Sequence, residues 1–392
     1  MKNKIYDAII IGGGAAGMMA AIEAGKRERN VLVLEHNPSI GNKILISGGG
    51  RCNFTNINAK PENYISSNRH FMKSAFSAYT SNDFIELVEE YGIEYYEKKL
   101  GQLFCRKSSR EIIEMLLNEA AKYNVSIHTN TKVTGVKMKD NIFEVASSMG
   151  VFISKKVVVA CGGLSFPKKG ATSLGYKIAE AFAHPIIKTR PGLVPLTLKK
   201  ELLEDMTELS GISFDSQIRI GKTIFLENTL ITHRGLSGPA ILQISSYWDG
   251  QSEIAIRIEP SVDFNELIAT NRNSTREVRS IVGEHISQRF ADIICKKCNV
   301  AKPINQCTNK DLNKLVEELT NWQVLPNGTE GYEKAEVTIG GVDTNYLNQK
   351  TMESKLTEGL YFIGEIVDVT GWLGGYNFQW AWSSGFVCGK DI

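Results

Sequence analysis

The first 35 residues carry the pattern that most constrains the fold of this chain. Residues 5–11 form an apolar run, the next six read Gly12-Gly13-Gly14-Ala15-Ala16-Gly17, and a second apolar run at 31–34 ends at Glu35. The six residues satisfy G-x-G-x-x-G, between an apolar strand pattern and a helical pattern. Strands of this kind, buried on both faces, are typical of a parallel sheet. We therefore predict an N-terminal βαβ unit that binds a dinucleotide.

Each glycine of this pattern has a separate physical task. Gly12 permits the tight turn, Gly14 lets the backbone approach a pyrophosphate, and Gly17 lets the helix pack closely on the strand. The N–H groups of the first helical turn, at Ala15 and Ala16, are available to phosphate oxygens. Glu35 is placed to accept hydrogen bonds from an adenosine ribose.

A second glycine cluster bears on which dinucleotide is bound. Gly48-Gly49-Gly50 is followed by Arg51, Cys52 and Asn53. Glycine backbone can lie against a flat ligand, and the Arg and Asn side chains supply donors for its polar edge. This pattern favours FAD, while a glycine-rich surface loop is the alternative.

Charge and cysteine content exclude several classes of function. The 45 Lys and Arg residues nearly balance the 43 Asp and Glu residues, for a net charge of +2. We therefore expect no nucleic-acid partner, and no apolar run approaches the ~18 residues of a membrane span. Seven scattered cysteines favour a reducing, cytoplasmic setting. Cys295, Cys298 and Cys307 are too few for a zinc site, so we expect no metal.

The pattern of apolar residues changes along the chain. Residues 82–91 and 109–123 are predicted helices, and residues 190–258 are predicted to be all-β. A helical stretch follows at 264–319, with helices at 277–290 and at 311–319, the latter capped by Thr308 or Asn309. The chain then becomes β-like again and ends in a strand followed by glycine.

Five longer motifs resemble those of one known family. They are GGGRCNFTN at 48–56, GGLSFPKKG at 162–170, THRGLSGPA at 232–240, VTIGGV at 337–342 and GEIVDVTGWLGGYNFQWA at 364–381. Together they resemble the aminoacetone oxidase family of FAD-binding enzymes, and the resemblance spans the whole chain. It implies an α/β fold in which a Rossmann-like FAD domain of the glutathione-reductase type (1–190 and 343–392) is interrupted by a β-barrel-like substrate domain (191–260 and 322–342). That second domain would carry a helical insertion at 261–321.

The resemblance also implies which residues bind FAD. They are Gly12, Gly14 and Ala15 at the pyrophosphate, Glu35, His36 and the Val133 backbone at the adenosine, Lys43, Gly49, Arg51 and Asn53 at the flavin, Glu365 at the ribityl or phosphate oxygens, and Asn377 and Phe378 at a helix N-terminus facing the isoalloxazine. Ala16, Gly17, Gly48, Cys52, Gly162, Gly364 and Gly375 complete the expected site. A positive helix end near flavin N1 would favour the reduced cofactor.

The expected reaction follows from what the chain lacks. Cys52 has no neighbouring cysteine, so dithiol chemistry is not expected; Cys52 is either a buried packing residue or a lone redox thiol. No second G-x-G-x-x-G with a preceding strand occurs between residues 100 and 330, which favours O2 over NAD(P)H as redox partner and leaves transient NADPH docking open. His233 and Tyr376 are candidate substrate-facing groups, and a purely structural role is the alternative for each.

These observations lead to an expected function with two rivals. We expect a FAD-dependent oxidoreductase, an oxidase of a small primary amine such as aminoacetone that yields hydrogen peroxide and ammonia. One rival is an NAD(P)H-dependent flavin reductase of carbon–carbon double bonds. The other is a flavin-binding module in RNA modification or redox sensing. The oligomeric state is left open.

Overall fold

The computed structural model describes residues 4–201, 203 and 207–392, and it divides into two compact units. The first consists of Met1–Arg190 and Val337–Ile392, and the second of Pro191–Glu336. Residues 1–3, 202 and 204–206, which the expected domain ranges include, lie outside the described residues. The further division of the second unit at 261–321 stays a prediction.

Helices are numbered in chain order among the described residues. They are α1 (Ala15–Gly25), α2 (Asn42–Ile46), α3 (Lys73–Ala78), α4 (Ser81–Glu90), α5 (Arg110–Lys122), α6 (Leu174–Ala181), α7 (Pro239–Ser245), α8 (Phe264–Asn271), α9 (Val278–Val282), α10 (Gln288–Lys297), α11 (Asn309–Thr320) and α12 (Tyr376–Asp391). The helices predicted at 82–91 and 109–123 are confirmed as α4 and α5.

Strands are numbered in the same way. They are β1 (Ile5–Ile11), β2 (Val31–Leu34), β3 (Asn53–Asn56), β4 (Tyr64–Ile65), β5 (Tyr95–Glu97), β6 (Gln102–Cys105), β7 (Ser126–His128), β8 (Val133–Lys139), β9 (Ile142–Ser147), β10 (Gly150–Val159), β11 (Ile186–Gly192), β12 (Leu196–Thr197), β13 (Ser213–Ile220), β14 (Thr223–Thr232), β15 (Gly235–Ser237), β16 (Ile254–Ile258), β17 (Trp322–Val324), β18 (Gly328–Thr329), β19 (Val337–Val342), β20 (Leu360–Phe362) and β21 (Thr370–Gly371).

A Rossmann-type sheet forms the core of the first unit. Its order is β7-β2-β1-β10-β9-β8, and β20 also pairs with β10. The pairs β7–β2, β2–β1, β1–β10 and β10–β20 are parallel, whereas β9 and β8 extend the sheet in antiparallel fashion. All four residues of β2 are buried, as expected for a strand covered on both faces. The predicted α/β class and the N-terminal βαβ unit are confirmed.

The first and last helices of the chain pack together through small residues. A Cβ added at Gly385 of α12 would lie 2.5 Å from the carbonyl oxygen of Ala16, and one at Gly389 would lie 2.5 Å from that of Ala20. The two backbones therefore approach more closely than any side chain allows. This contact holds the C-terminal helix against the helix that follows the glycine turn.

The second unit contains a seven-stranded sheet of order β17-β16-β13-β14-β15-β12-β18, whose pairs are antiparallel. Helices α8 to α11 lie in the chain between β16 and β17. This sheet confirms the predicted additional β domain, and Thr308 caps α11 by accepting a hydrogen bond from the Asp311 N–H.

Two secondary-structure predictions in this unit were wrong. The stretch 190–258, predicted to be all-β, contains α7, whose short mainly apolar sequence resembles a strand but follows Gly238 at φ +90°, with Pro239 in the first turn. The single helix expected at 277–290 is two helices, α9 and α10. The Ser287 hydroxyl accepts from the Phe290 N–H and starts the second of them.

We predict that the α1–α12 contact tolerates no added methyl group. Gly385→Ala should lower the free energy of unfolding by about 1–3 kcal/mol, because the new Cβ overlaps the Ala16 carbonyl. Gly135→Ala on β8 is the matched control, since a Cβ there meets nothing within 4 Å. Urea unfolding followed by circular dichroism measures both. Equal stability of the two variants would contradict the proposed close packing.

A buried histidine predicts how stability depends on pH. His184 is 3% exposed, its Nε2 lies 2.7 Å from the Ser354 hydroxyl oxygen, and burial lowers its pKa. The unfolded chain then binds the proton more readily than the folded chain. Stability should therefore fall on the order of 1 kcal/mol as pH drops below about 6.5. In urea titrations between pH 8 and pH 5, His184→Gln should show a smaller loss than the wild type; an identical loss would refute this role.

Candidate cofactor site

The glycine turn between β1 and α1 is built by backbone contacts that exclude side chains. Gly12 has φ +114°, and a Cβ there would lie 2.4 Å from the Ala160 carbonyl oxygen at the end of β10. A Cβ on Gly17 would lie 2.0 Å from the Gly12 carbonyl oxygen, so α1 sits directly against the turn. Gly14 differs, because a Cβ there meets nothing within 4 Å. The Gly14 position therefore faces open space in front of the helix N-terminus, where a phosphate can approach the free N–H groups.

Glu35 holds this turn from the end of β2. Its carboxylate accepts the Gly13 N–H at 2.8 Å and the Asn37 N–H and side-chain amide, each at 2.8 Å. His36 Nδ1 lies 3.2 Å from the same carboxylate. Glu35 is 6% exposed, and these contacts engage most of the about four acceptor positions of a carboxylate. The structure thus gives Glu35 a second task, fixing the glycine turn, which the sequence did not reveal.

The expected adenosine residues converge at this end of the sheet. The Thr131 N–H donates to the Glu35 carbonyl, which places the start of β8, at Val133, next to β2. Val133 is buried, whereas His36 is exposed. A Cβ on Gly170 would lie 2.7 Å from His36 Nε2, so the 167–170 turn also borders this corner.

A polar cluster joins distant segments near the expected flavin end. Lys43 on α2 donates to the Glu365 carboxylate at 2.5 Å and to the Ser165 hydroxyl at 2.7 Å. The same carboxylate accepts the Ser165 hydroxyl at 3.1 Å and the Thr338 N–H at 2.9 Å. A Cβ on Gly163 would lie 2.7 Å from Glu365 Oε1, so glycine is required here too. Lys43 and Glu365 were expected from the sequence.

Ser165 and Thr338, by contrast, were missed by sequence reasoning as site residues. Both lie inside motifs already recognised, at 162–170 and 337–342, so the signal was their position beside glycines that have no room for a side chain.

Gly364 connects the Glu365 segment to both terminal helices. A Cβ on Gly364 would lie 2.9 Å from the Ala16 Cβ of α1. Its N–H donates to the Ser384 hydroxyl at 3.1 Å, and its carbonyl accepts the Trp380 indole N–H at 3.0 Å. Gly162 has φ +71°, and its added Cβ would lie 3.9 Å from Glu365.

The N-terminus of α12 abuts the strand that follows the second glycine cluster. Gly375 has φ +94°, and a Cβ there would lie 2.3 Å from the Thr55 carbonyl oxygen of β3. Asn377 accepts the Gly371 N–H at 2.8 Å and donates to the Gly371 and Trp372 carbonyls. Phe378 stacks on Trp382 with ring centroids 5.8 Å apart. The Asn377 and Phe378 side chains thus fix the start of the helix, which leaves its backbone N–H groups as the groups available to a ligand.

The second glycine cluster turns sharply beside an aromatic ring. Gly48 and Gly49 have φ of +57° and +67°, and a Cβ on Gly48 would lie 2.7 Å from the Phe104 ring, whereas one on Gly49 meets nothing. Arg51 is exposed and donates to the Tyr96 hydroxyl at 3.3 Å.

Cys52 is fully buried, and burial raises the pKa of its thiol well above its ordinary value. A thiol of this kind stays protonated and is a poor nucleophile, which supports the packing role over the redox role.

The two candidate substrate-facing residues lie in different units. Tyr376 is 7% exposed and packs edge-on against Tyr64 and Trp372, each with ring centroids 6.1 Å apart. His233 is exposed in the turn between β14 and β15 of the second unit. Their catalytic roles stay predictions.

Among residues 4–201, 203 and 207–392, no group of three His, Cys, Asp or Glu side chains is arranged to hold a metal ion. Burial raises the pKa of Cys295 to about 12. No helix in the described ranges combines the length and apolar character that crossing a membrane requires.

Comparisons with known proteins agree with this geometry. The model of the family described as "HI0933-like protein Rossmann domain" matches residues 6–391. A protein of Escherichia coli strain K12 named ribosomal RNA dihydrouridine synthase is 46% identical over 391 residues, covering 99% of this chain and 98% of that protein. The 3-dehydro-bile acid delta(4,6)-reductase of Clostridium scindens is 28% identical and covers 97% of each chain. Among solved structures, the 3-ketosteroid-delta4-(5alpha)-dehydrogenase of Rhodococcus jostii RHA1 superposes with a TM-score of 0.50 at 14% identity, over 98% of this chain and 96% of that one.

We predict that Gly14 is needed for the cofactor and not for the fold. Gly14→Val should fold but purify without flavin, because its side chain occupies the open space in front of α1, and the backbone at Gly14 is extended and accepts any residue. Flavin content is measured by visible absorbance and folding by circular dichroism.

Two further variants make this result interpretable. Gly135→Val on β8 should keep its flavin, since its Cβ meets nothing. Gly17→Ala should lower stability instead, because its Cβ overlaps the Gly12 carbonyl. A Gly14→Val protein that binds flavin as well as the wild type would refute the pyrophosphate assignment.

Proposed function

Because the chain belongs to the HI0933-like Rossmann family of flavin-dependent oxidoreductases, we propose that it binds FAD and reduces uridine to dihydrouridine in ribosomal RNA. The observation that carries this proposal is the 46% identity to the E. coli enzyme over nearly the full length of both chains. The glycine turn, the Lys43–Glu365 cluster and the helix end at Gly375 all lie within the matched region. The open space beside Gly14, in front of the N-terminus of α1, fits the pyrophosphate of a flavin dinucleotide.

The proposed reaction saturates one carbon–carbon double bond. Uridine gains a hydride at one carbon of its C5–C6 bond and a proton at the other, and an NAD(P)H molecule is oxidised to NAD(P)+. When bound, the flavin supplies the hydride-transfer chemistry that such a reduction needs. The chain itself binds the pyrophosphate at Gly14, orients the adenosine through Glu35 and positions the flavin end through Lys43 and the N-terminus of α12.

The amine-oxidase expectation has no support from the relatives. The E. coli and C. scindens proteins are named for reductions of unsaturated substrates, in which electrons flow toward the substrate. An amine oxidase moves electrons from substrate to O2, so aminoacetone, hydrogen peroxide and ammonia are not part of this proposal. Our two rival expectations, a reductase of carbon–carbon double bonds and an RNA-modifying flavoprotein, combine in this one reaction.

The expectation of no nucleic-acid partner also changes. It rested on the net charge of +2, which averages over 392 residues and carries no information on local clusters. A ribosomal RNA substrate needs only one local basic surface.

We predict that the purified protein with NADPH forms dihydrouridine in unmodified ribosomal RNA transcribed in vitro. Nucleoside mass spectrometry after complete digestion should reveal uridine that is two hydrogens heavier. The reaction is run without oxygen, and Gly14→Val should form none because it lacks the cofactor.

A different pair of results would contradict this reaction. Absence of dihydrouridine, together with bleaching of the flavin by aminoacetone and peroxide formation in air, would overturn the proposal in favour of an amine oxidase.

A further inference from the structure

A small three-stranded sheet in the first unit carries a positively charged, aromatic face. Its order is β3-β6-β5, and the central strand β6 pairs Phe104 with Tyr96 of β5 on one side and with Asn53 of β3 on the other. Side chains opposite one another in an antiparallel pair share a face of the sheet. Asn53, Phe104 and Tyr96 therefore form one row across the three strands.

The opposite face of this sheet is a core face. Leu103, Cys105 and Tyr95 pack into a buried cluster with Phe54 and Phe84. The alternation along β5 and β6 fixes the register and places Tyr96 and Phe104 on the face opposite this cluster, where Tyr96 is half-buried and Phe104 is only 6% exposed. The row they form is not a product of loop geometry.

Three cations surround this row. The Lys98 ammonium lies 5.6 Å from the Phe104 ring centroid, and the Arg106 guanidinium lies 5.9 Å from the Tyr96 centroid. Arg51 donates to the Tyr96 hydroxyl at 3.3 Å. Tyr96 and Phe104 themselves stack with centroids 5.8 Å apart at 24°. We call Arg51, Tyr96, Lys98, Phe104 and Arg106 the cationic face.

Little negative charge compensates these cations. Glu94 approaches Arg106 only to 3.9 Å, and both side chains are about 60% exposed, so this ion pair is weak. The Glu97 carboxylate accepts the Gly101 N–H at 2.9 Å. No ion pair of Arg51 or Lys98 occurs among the residues that the structure describes. Five basic residues stand against two acidic residues between positions 94 and 110.

One end of the row adjoins the candidate cofactor site. Phe104 touches Gly48 of the second glycine cluster, and a Cβ on Gly375 would lie 2.9 Å from the Asn53 side-chain oxygen. The row therefore runs from the N-terminus of α12 outward to exposed Arg106. An RNA strand whose reacting base reaches the flavin, at the N-terminus of α12, would have its neighbouring nucleotides beside these residues.

We propose that the cationic face binds the RNA strand that flanks the reacting uridine. This inference rests on the proposed function. Single-stranded RNA presents phosphates and unstacked bases, which bind to cations and stack on aromatic rings and Arg guanidinium planes. Lys98 and Arg51 bind phosphates, and the exposed Arg106 guanidinium, which lies 5.9 Å from the Tyr96 ring centroid, offers a plane to a base.

The test compares charge removal on this face with charge removal elsewhere. Lys98→Ala/Arg106→Ala removes two exposed cations, and the control Lys137→Ala/Lys139→Ala removes two exposed cations from β8. Binding of fluorescent ribosomal RNA transcripts is measured from 50 to 300 mM salt. The first variant should bind more weakly at every salt concentration, and its slope of log affinity against log salt should fall by about one, because Lys98 is the phosphate-binding cation that it lacks. The control should match the wild type.

A second variant tests stacking separately from charge. Tyr96→Leu keeps all three cations and should weaken RNA binding about tenfold with an unchanged salt slope. Flavin absorbance and circular dichroism of each variant establish that it is folded. Dihydrouridine formation at subsaturating RNA should fall in parallel with affinity, and excess RNA should restore it.

The outcomes separate this inference from the proposed function. If the wild type binds RNA and forms dihydrouridine while the Lys98/Arg106 variant behaves like the control, the cationic face is refuted and the proposed function stands. An equal loss in both double variants refutes it as well, because binding would then be diffuse. A wild type that neither binds RNA nor forms dihydrouridine overturns both.

Discussion

The tight approach of Gly17 of α1 to the Gly12 carbonyl, where an added Cβ would lie 2.0 Å from the oxygen, is the constraint on which the rest of the first unit depends. It seats α1 on the end of β1 and aims its N-terminus at the open space beside Gly14. On the other side of α1, Gly385 and Gly389 of α12 meet the Ala16 and Ala20 carbonyls. A side chain at any of these positions would push the helices apart. Because α12 begins directly after Gly375, the same packing sets where the second helix N-terminus lies.

Polar contacts of two carboxylates, Glu365 and Glu35, hold further segments of the chain in place. Glu365, which follows the last strand of the parallel sheet, binds Lys43 from the N-terminal third of the chain and Ser165 from its middle. Glu35 does the same at the other end by fixing the Gly13 N–H. Both carboxylates accept from several donors; Glu365 joins segments that are distant in sequence, whereas Glu35 fixes the neighbouring glycine turn. Charge is also unevenly distributed along the chain. Although the net charge is close to zero, cations are concentrated beside the glycine cluster at 48–50.

Local patterns predicted the fold well where each residue has one physical task. The βαβ unit, α4, α5, the antiparallel sheet and the Thr308 cap follow from periodicity, glycines and capping chemistry. The short helix α7 was not predicted because its apolar residues fit a strand equally well, and the break between α9 and α10 depends on the Ser287 cap. Long-range contacts could not be predicted from the sequence, because no local pattern pairs Ser165 with Glu365 or shows that Tyr96 and Phe104 lie on the same face of a sheet. The catalytic roles of Tyr376 and His233 stay predictions, and the oxidase reaction expected from the absence of a second nucleotide fold lost its support when full-length relatives were found to be named for reductions.

We propose that the two ends of the chain form one cradle for FAD. A crystal structure of the protein grown with FAD would test this. We expect the pyrophosphate against the backbone at Gly14, the adenosine beside Glu35 and the isoalloxazine between the glycine cluster at 48–50 and the N-terminus of α12. FAD bound at another location, or a folded protein that takes up none at saturating concentration, would contradict it.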